Sequence, residues 1–194
     1  MSKDKVTIEV IEKTYGLHTI SPTTVDVVST GSILLNRALG CGGYALGKII
    51  ELQGAESSGK STAVMHAIAE FQRKFPDKKV ALFDYENSFD IDYATALGVD
   101  VNKVIIYQPD NLEQGLNMII ELVKNDLVSL ICLDSHTSAL PKKIIEGEIG
   151  DATIGLAARM YSIFLAKLKG LCEKNKITLI AISQLRANIG VMYG

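Results

Sequence analysis

Between Gly54 and Thr62 the chain reads GAESSGKST. A stretch this small and polar holds no core together, but its surroundings restrict the fold. It follows the β-branched run KIIELQG and precedes STAVMHAIAEFQRKF, whose apolar residues recur at helical spacing and which stops before Pro76. Gly-x-x-x-x-Gly-Lys-Ser between a strand and a helix is the context of a phosphate cradle. The glycines let backbone N–H groups turn inward, and the helix N-terminus adds partial positive charge. Gly54, Glu56, Ser57, Ser58 and Gly59 form the candidate loop. Lys60 is the candidate for the β- and γ-phosphates, and the Ser61 hydroxyl for Mg²⁺. A plain Ser/Gly turn is the alternative, and the full pattern in this setting favours the cradle.

Further apolar runs extend the pattern. KVALFDY, KVIIYQP, LVSLICLD and ITLIAISQ read as strands, separated by the helical stretches IDYATALG, NLEQGLNMIIELVKN and GLAARMYSIFLAKLKGLCEKN. SILLNRAL reads as a short helix ahead of the loop GCGGYALG. Apolar strands alternating with helices predict an α/β fold, a mostly parallel central sheet covered on both faces. Residues 31–194 make one such unit, and 194 residues suffice for its core. Residues 1–30 differ in character: a weak helical stretch, KVTIEVIEKTYG, precedes the turn-rich LHTISPTTVDVVSTG. They read as a strap on the main unit or an arm for another subunit.

A formal net charge of −2 argues against a generally basic nucleic-acid surface, though not against a local DNA-binding loop. Cys41, Cys132 and Cys172 lie far apart, which reads as reduced thiols in a cytoplasmic protein rather than a zinc site or a disulfide framework. The N-terminus carries no apolar signal region, and the longest apolar runs are far too short to span a bilayer, so no membrane association is expected.

Three further residues stand where ligands bind, at the C-terminal ends of strands. Asp134 ends SLICLD and is the natural partner for Mg²⁺ beside a phosphate loop. Glu86 follows VALFDY; a carboxylate there is able to orient and activate water, although strand-end acids are common. Gln184 ends ITLIAISQ; its amide can report a γ-phosphate by hydrogen bonding, or simply cap a loop. His136 reads as a loop residue rather than as a ligand or base. Two glycine-containing stretches, IIEGEIGDATIGLAARM and ISQLRANIGVMYG, follow the same edge and read as loops with a ligand-facing role.

In STGSILLNRALG, GAESSGKST, YENSFDIDYATALGVD, QPDNLEQGL, EGEIGDATIGLAARM and ISQLRANIGVMYG the chain resembles the RecA recombinases, the DNA strand-exchange ATPases of bacteria and phages. The likeness runs from Ile11 to Gly194, and EGEIGD...GLAARM is its most specific part. It implies a P-loop ATPase fold of the RecA type and ATP with Mg²⁺ as ligands. Lys60, Ser61 and Thr62 would hold phosphates and metal, and Glu86 would be the catalytic carboxylate. Asp90 and Tyr93 would contact adenine, the tyrosine by stacking; a packed helix aromatic is the plainer reading of Tyr93. Asp134 and Ser135 would complete the metal and water site, and Gln184 would link the γ-phosphate to DNA.

The resemblance also implies single-stranded DNA as partner, with duplex DNA during strand exchange. Ile154, Gly155, Arg159 and Ser162 would belong to the first DNA loop and the helix after it, and Arg186, Ile189 and Gly190 to the second loop. Ile154 and Ile189 would wedge between base steps. The N-terminal IEKTYGLHTI resembles the arm that packs on a neighbouring subunit, which implies a helical filament. Departures are Ala55 where proline is common, GGYALG without another common proline, Tyr85 and Asn87 flanking Glu86, and Ala166 where an arginine near DNA is frequent. The family continues past the position of Gly194. The expectation is therefore a chain incomplete at its C-terminal end or completed by a second chain, with an apolar sheet edge left open after ITLIAISQ. The alternatives are a ring-forming helicase or loader ATPase, and a nucleotide-binding half active only with a partner.

Overall fold

The computed structural model describes residue 14 and residues 25–148 and 155–184. Ile154, Arg186, Ile189, Gly190 and, of the N-terminal arm, residues 1–13 and 15–24 lie outside the described residues.

The apolar runs form one five-stranded sheet. Its strands are β3 (Ile49–Gly54), β4 (Lys79–Asp84), β5 (Val104–Tyr107), β6 (Val128–Asp134) and β7 (Thr178–Gln184). They stand in the order β3-β7-β6-β4-β5, and every neighbouring pair is parallel. Parallel neighbours need crossovers, and helices supply them. The helices are α1 (Ile33–Ala38), α2 (Lys60–Lys74), α3 (Ile91–Ala96), α4 (Leu112–Lys124), α5 (Lys142–Glu146) and α6 (Leu156–Asn175). A small antiparallel pair, β1 (Val27–Val28) with β2 (Tyr44–Ala45), lies apart from the main sheet.

Period-two alternation divides the strand side chains between two cores. Ala81, Phe83, Ile131, Leu133, Leu179 and Ala181 face α4 and α6, where Leu112, Leu116, Ile119, Phe164 and Leu168 meet them. Val80, Leu82, Leu130, Cys132, Ile180 and Ile182 face α2, which presents Val64, Met65, Ile68 and Phe71. Val28 and Tyr44 join that second core, which ties the β1–β2 pair to the body of the chain. Gln72, also buried, closes α2 onto the next crossover by bonding both the backbone oxygen and the backbone N–H of Asp100, each at 2.9 Å. These pairings satisfy backbone groups that would otherwise be costly to bury.

Helix ends follow local chemistry. Asn111 caps α4 and Asp90 caps α3, each side chain accepting from a backbone N–H three residues on. Helices α2 and α6 begin instead at Gly59 and Gly155, in left-handed conformations and without a side-chain cap.

Two expectations need correction. The strand ending in Gln184 is interior, between β3 and β6, and its apolar sequence reflects burial on both faces. Among the described residues the edge strand on that side of the sheet is β3, with only half-buried and exposed residues. Glu86 does not end a strand: β4 stops at Asp84, and Glu86 stands two residues beyond it.

Candidate functional site

Parallel register brings the strand ends together. Gly54 pairs with Gln184, and Asp84 with Asp134, so the glycine-rich loop after β3, the amide and the acids share one edge of the sheet. That is the edge where open α/β sheets bind ligands.

The loop after β3 is shaped by backbone. A Cβ on Gly54 would stand 2.7 Å from Ser58 Oγ, so a side chain there would displace the loop's own serine. Ser57 (φ 58°) and Gly59 (φ 85°) take left-handed conformations, and successive turns of this kind aim N–H groups into a concavity that favours anions. The uncapped start of α2 adds its first N–H groups to the same concavity. Lys60 Nζ folds back over the loop, donating to Ala55 O at 2.6 Å and Gly54 O at 3.1 Å.

Ser61 Oγ donates to Asp134 Oδ2 at 3.0 Å, joining the first turn of α2 to the end of β6. Burial raises the Asp134 carboxyl above its ordinary 3.8; the charges of Glu86 and Asp84 push the same way, and the Ser61 bond and Lys60 oppose them. Glu86 Oε1 accepts from Gln184 Nε2 at 3.0 Å and from Ser138 Oγ at 2.9 Å. The backbone around Glu86 is fixed by buried Asp84, whose carboxylate accepts from the N–H groups of Glu86 (3.1 Å), Ser88 (2.9 Å) and Phe89 (3.0 Å). Thr62 Oγ1 and the Tyr93 hydroxyl lie 3.1 Å apart, and the Asp90 carboxylate caps Tyr93 N at 2.9 Å.

These groups surround a polar cavity of about 330 Å³. It is lined by Glu56, Ser57, Ser58, Gly59, Lys60, Ser61, Thr62, Glu86, Asp134, Gln184 and Ile182, and all but Ile182 are candidates from the sequence. Gly54, Asp90, Tyr93 and Ser135 are not on its wall. Tyr93 is half exposed beside Thr62, whereas Ser135 is fully buried with its hydroxyl against Thr137 Oγ1 at 2.8 Å. A larger cavity of about 540 Å³, between β3 and α6, is walled mainly by apolar side chains such as Ile49, Leu133, Phe164 and Leu179. It offers little to a phosphate. Asp84 and Ser138 were missed in the sequence; Asp84 left one signal, an acid among strand residues two places before Glu86.

Gly155 opens α6, and Arg159 and Ser162 stand exposed on its first two turns. Next to them, Tyr161 Oη donates to His136 O at 2.6 Å, and the two rings meet edge to face at 5.2 Å. This contact joins α6 to the turn that follows Asp134. His136 belongs to that turn, with Nε2 3.5 Å from Glu51 Oε1.

The raised Asp134 carboxyl has a stability consequence. A folded-state pKa above the unfolded one costs stability as pH rises through it, and costs nothing below the ordinary 3.8, where both states are protonated. Asp134→Asn should therefore stabilise the nucleotide-free protein at neutral pH, by on the order of 1 kcal/mol. The gain should fade as pH falls through the raised folded-state value toward 3.8, below which nothing of it should remain. Urea denaturation across that range checks it; a variant less stable at pH 7 would refute the assigned cost.

Residues 3–194 match the sequence model of the RecA N-terminal domain. Protein RecA of Bacteroides thetaiotaomicron is 46% identical, the match covering 98% of this chain and 59% of that protein. Protein RecA of Mesoplasma florum is 43% identical over 96% of this chain and 57% of its own length. Protein RecA of Lactococcus lactis subsp. cremoris is 44% identical over 96% and 49% respectively. The chain thus spans about half the length of the curated relatives it matches. With residues 3–194 accounted for by one family model, and relatives 43–46% identical over nearly all of its length, the chain belongs to the RecA family.

Proposed function

We propose that this chain is the nucleotide-binding and DNA-engaging part of a recombinase, a DNA-dependent ATPase that assembles into filaments on single-stranded DNA. One observation carries the reading. Lys60, the Ser61–Asp134 pair and the Glu86–Gln184 pair share a single polar cavity at the sheet edge. Its volume and its N–H-rich floor suit a polyphosphate, and Lys60 meets one by leaving its loop contacts to Gly54 O, Ala55 O and the Ser58 hydroxyl.

The donor set also fits Mg²⁺. Ser61 and Asp134 offer hard oxygen ligands, and the crowding of Asp134, Glu86 and Asp84 favours a cation. Ser61 would bind the metal and Asp134 would support it; Mg²⁺, when bound, neutralises charge on the phosphates. Glu86 orients and deprotonates the attacking water. Gln184 exchanges its bond to Glu86 for one to the γ-phosphate and passes the change to the residues after β7. Asp90 and Tyr93 take the adenine side, beside Thr62. Arg159, with Ser162 and Gly155, contacts the DNA backbone from the start of α6, and Ile154, Arg186, Ile189 and Gly190 make the remaining DNA contacts. Among the described residues no helix is long and apolar enough to cross a membrane.

The test is MgATP turnover by the intact protein with and without a single-stranded oligonucleotide, alongside electron microscopy. Turnover that rises with the oligonucleotide, together with filaments, is expected. Turnover indifferent to DNA, or closed rings, would reject the reading.

A further inference from the structure

Glu86 lies past the end of β4 with an exposed side chain, so what holds its carboxylate decides whether it can act. Two donors end on the same oxygen: Gln184 Nε2 at 3.0 Å and Ser138 Oγ at 2.9 Å. Glu86 Oε2 accepts no hydrogen bond among the described residues. Both tethers therefore hold the same oxygen of the carboxylate.

The two donors differ in what they can afterwards do. Gln184 is the residue that turns toward a γ-phosphate, and in doing so it releases Glu86. Ser138 has no such second task, since it does not line the nucleotide cavity. It closes the turn His136–Ser138, and that turn is fixed on several sides. Ser138 N bonds Ser135 O at 3.0 Å, Ser135 is fully buried, and Tyr161 Oη bonds His136 O at 2.6 Å. A serine in a turn commonly bonds its own neighbouring backbone. Ser138 instead reaches a residue 52 positions away in sequence.

We infer that Ser138 is a positioning residue for ATP hydrolysis: it keeps the Glu86 carboxylate in place when Gln184 leaves it for the γ-phosphate. The inference rests on the ATPase reading and names a residue which that reading does not need. A hydroxyl suits the task because it donates one directed bond without charge. A lysine in its place would compete for the phosphates.

The experiment compares Ser138→Ala and Ser138→Thr with wild type in the intact protein. Ser138→Ala should lower kcat by about tenfold, the usual worth of a hydrogen bond to a charged group, with KM for ATP within about twofold. Ser138→Thr retains the hydroxyl and should keep most of the activity. In a Glu86→Gln background Ser138→Ala should cost nothing further, because it acts through that carboxylate. A crystal structure of Ser138→Ala bound to a non-hydrolysable ATP analogue, with Gln184 drawn to the γ-phosphate, should show the Glu86 side chain in more than one rotamer, and one fixed rotamer there would count against the inference. Wild-type kcat in Ser138→Ala, or the same tenfold loss in the Glu86→Gln background, overturns the inference alone. A wild-type protein without ATP turnover overturns the functional reading and this inference with it.

Discussion

Lys60→Ala is expected to abolish ATP hydrolysis, with turnover falling by more than about a thousandfold. The size follows from where the ammonium stands. It is the cation carried by the phosphate loop, at the first residue of α2, and its bonds to Gly54 O and Ala55 O leave it one side-chain rotation from the cavity. The cavity wall otherwise carries the acids Glu56, Glu86 and Asp134. Without Lys60 a polyanion would meet those acids with only backbone dipoles in its favour. Nucleotide affinity should therefore fall together with turnover. Lys60→Arg should not rescue, because a planar guanidinium is too large and too directional for a loop that the butylammonium spans. Steady-state hydrolysis and binding of a fluorescent ATP analogue check both halves. Undiminished turnover in Lys60→Ala would remove the assignment of this loop.

The fold was legible where one residue pattern had one physical meaning. Apolar runs long enough to be buried on both faces gave β4, β6 and β7, and helical spacing bounded by Pro76 gave α2. The β1–β2 pair was not legible, because two residues per strand carry no period. Strand order was harder still. ITLIAISQ was expected beside an open edge because further strands were expected to follow and pair with it; yet a strand apolar throughout belongs in the middle of a sheet, and there it lies. Edge character was written in β3 instead, where Glu51 and Gln53 alternate with less exposed neighbours.

The site divides in the same way. A contiguous loop such as 54–62 could be placed from sequence directly, since its geometry comes from its own glycines. Asp134 could be placed at this edge because a polar residue at the end of an apolar strand has one place to go, whereas position alone left Gln184 as readily a loop cap. Ser138 could not be placed, because its meaning lies in a contact across 52 residues that only the register of β4 beside β6 creates. Asp84 was hidden differently. Its carboxylate serves three backbone N–H groups, a structural task that a sequence does not separate from a catalytic one.

Glu86→Gln should leave ATP bound at least as tightly and lower turnover by about a hundredfold or more. The substitution keeps shape. The new amide oxygen can still accept from Ser138 and Gln184, as Oε1 does now, so both tethers survive. What changes is the other position, where an N–H₂ donor replaces Oε2, and a donor cannot take a proton from water. Affinity should not suffer, because the lost charge is one of those that raise the neighbouring Asp134 carboxyl. Its removal makes the cavity less hostile to a triphosphate and leaves Asp134 more readily ionised for its part beside Ser61. Binding and chemistry therefore separate in this variant, as they do not in Lys60→Ala. Single-turnover hydrolysis of pre-bound ATP measures the chemical step, and equilibrium titration measures affinity. Weaker binding with an unchanged rate for the bound nucleotide would make Glu86 a binding residue, and the water would then need another base.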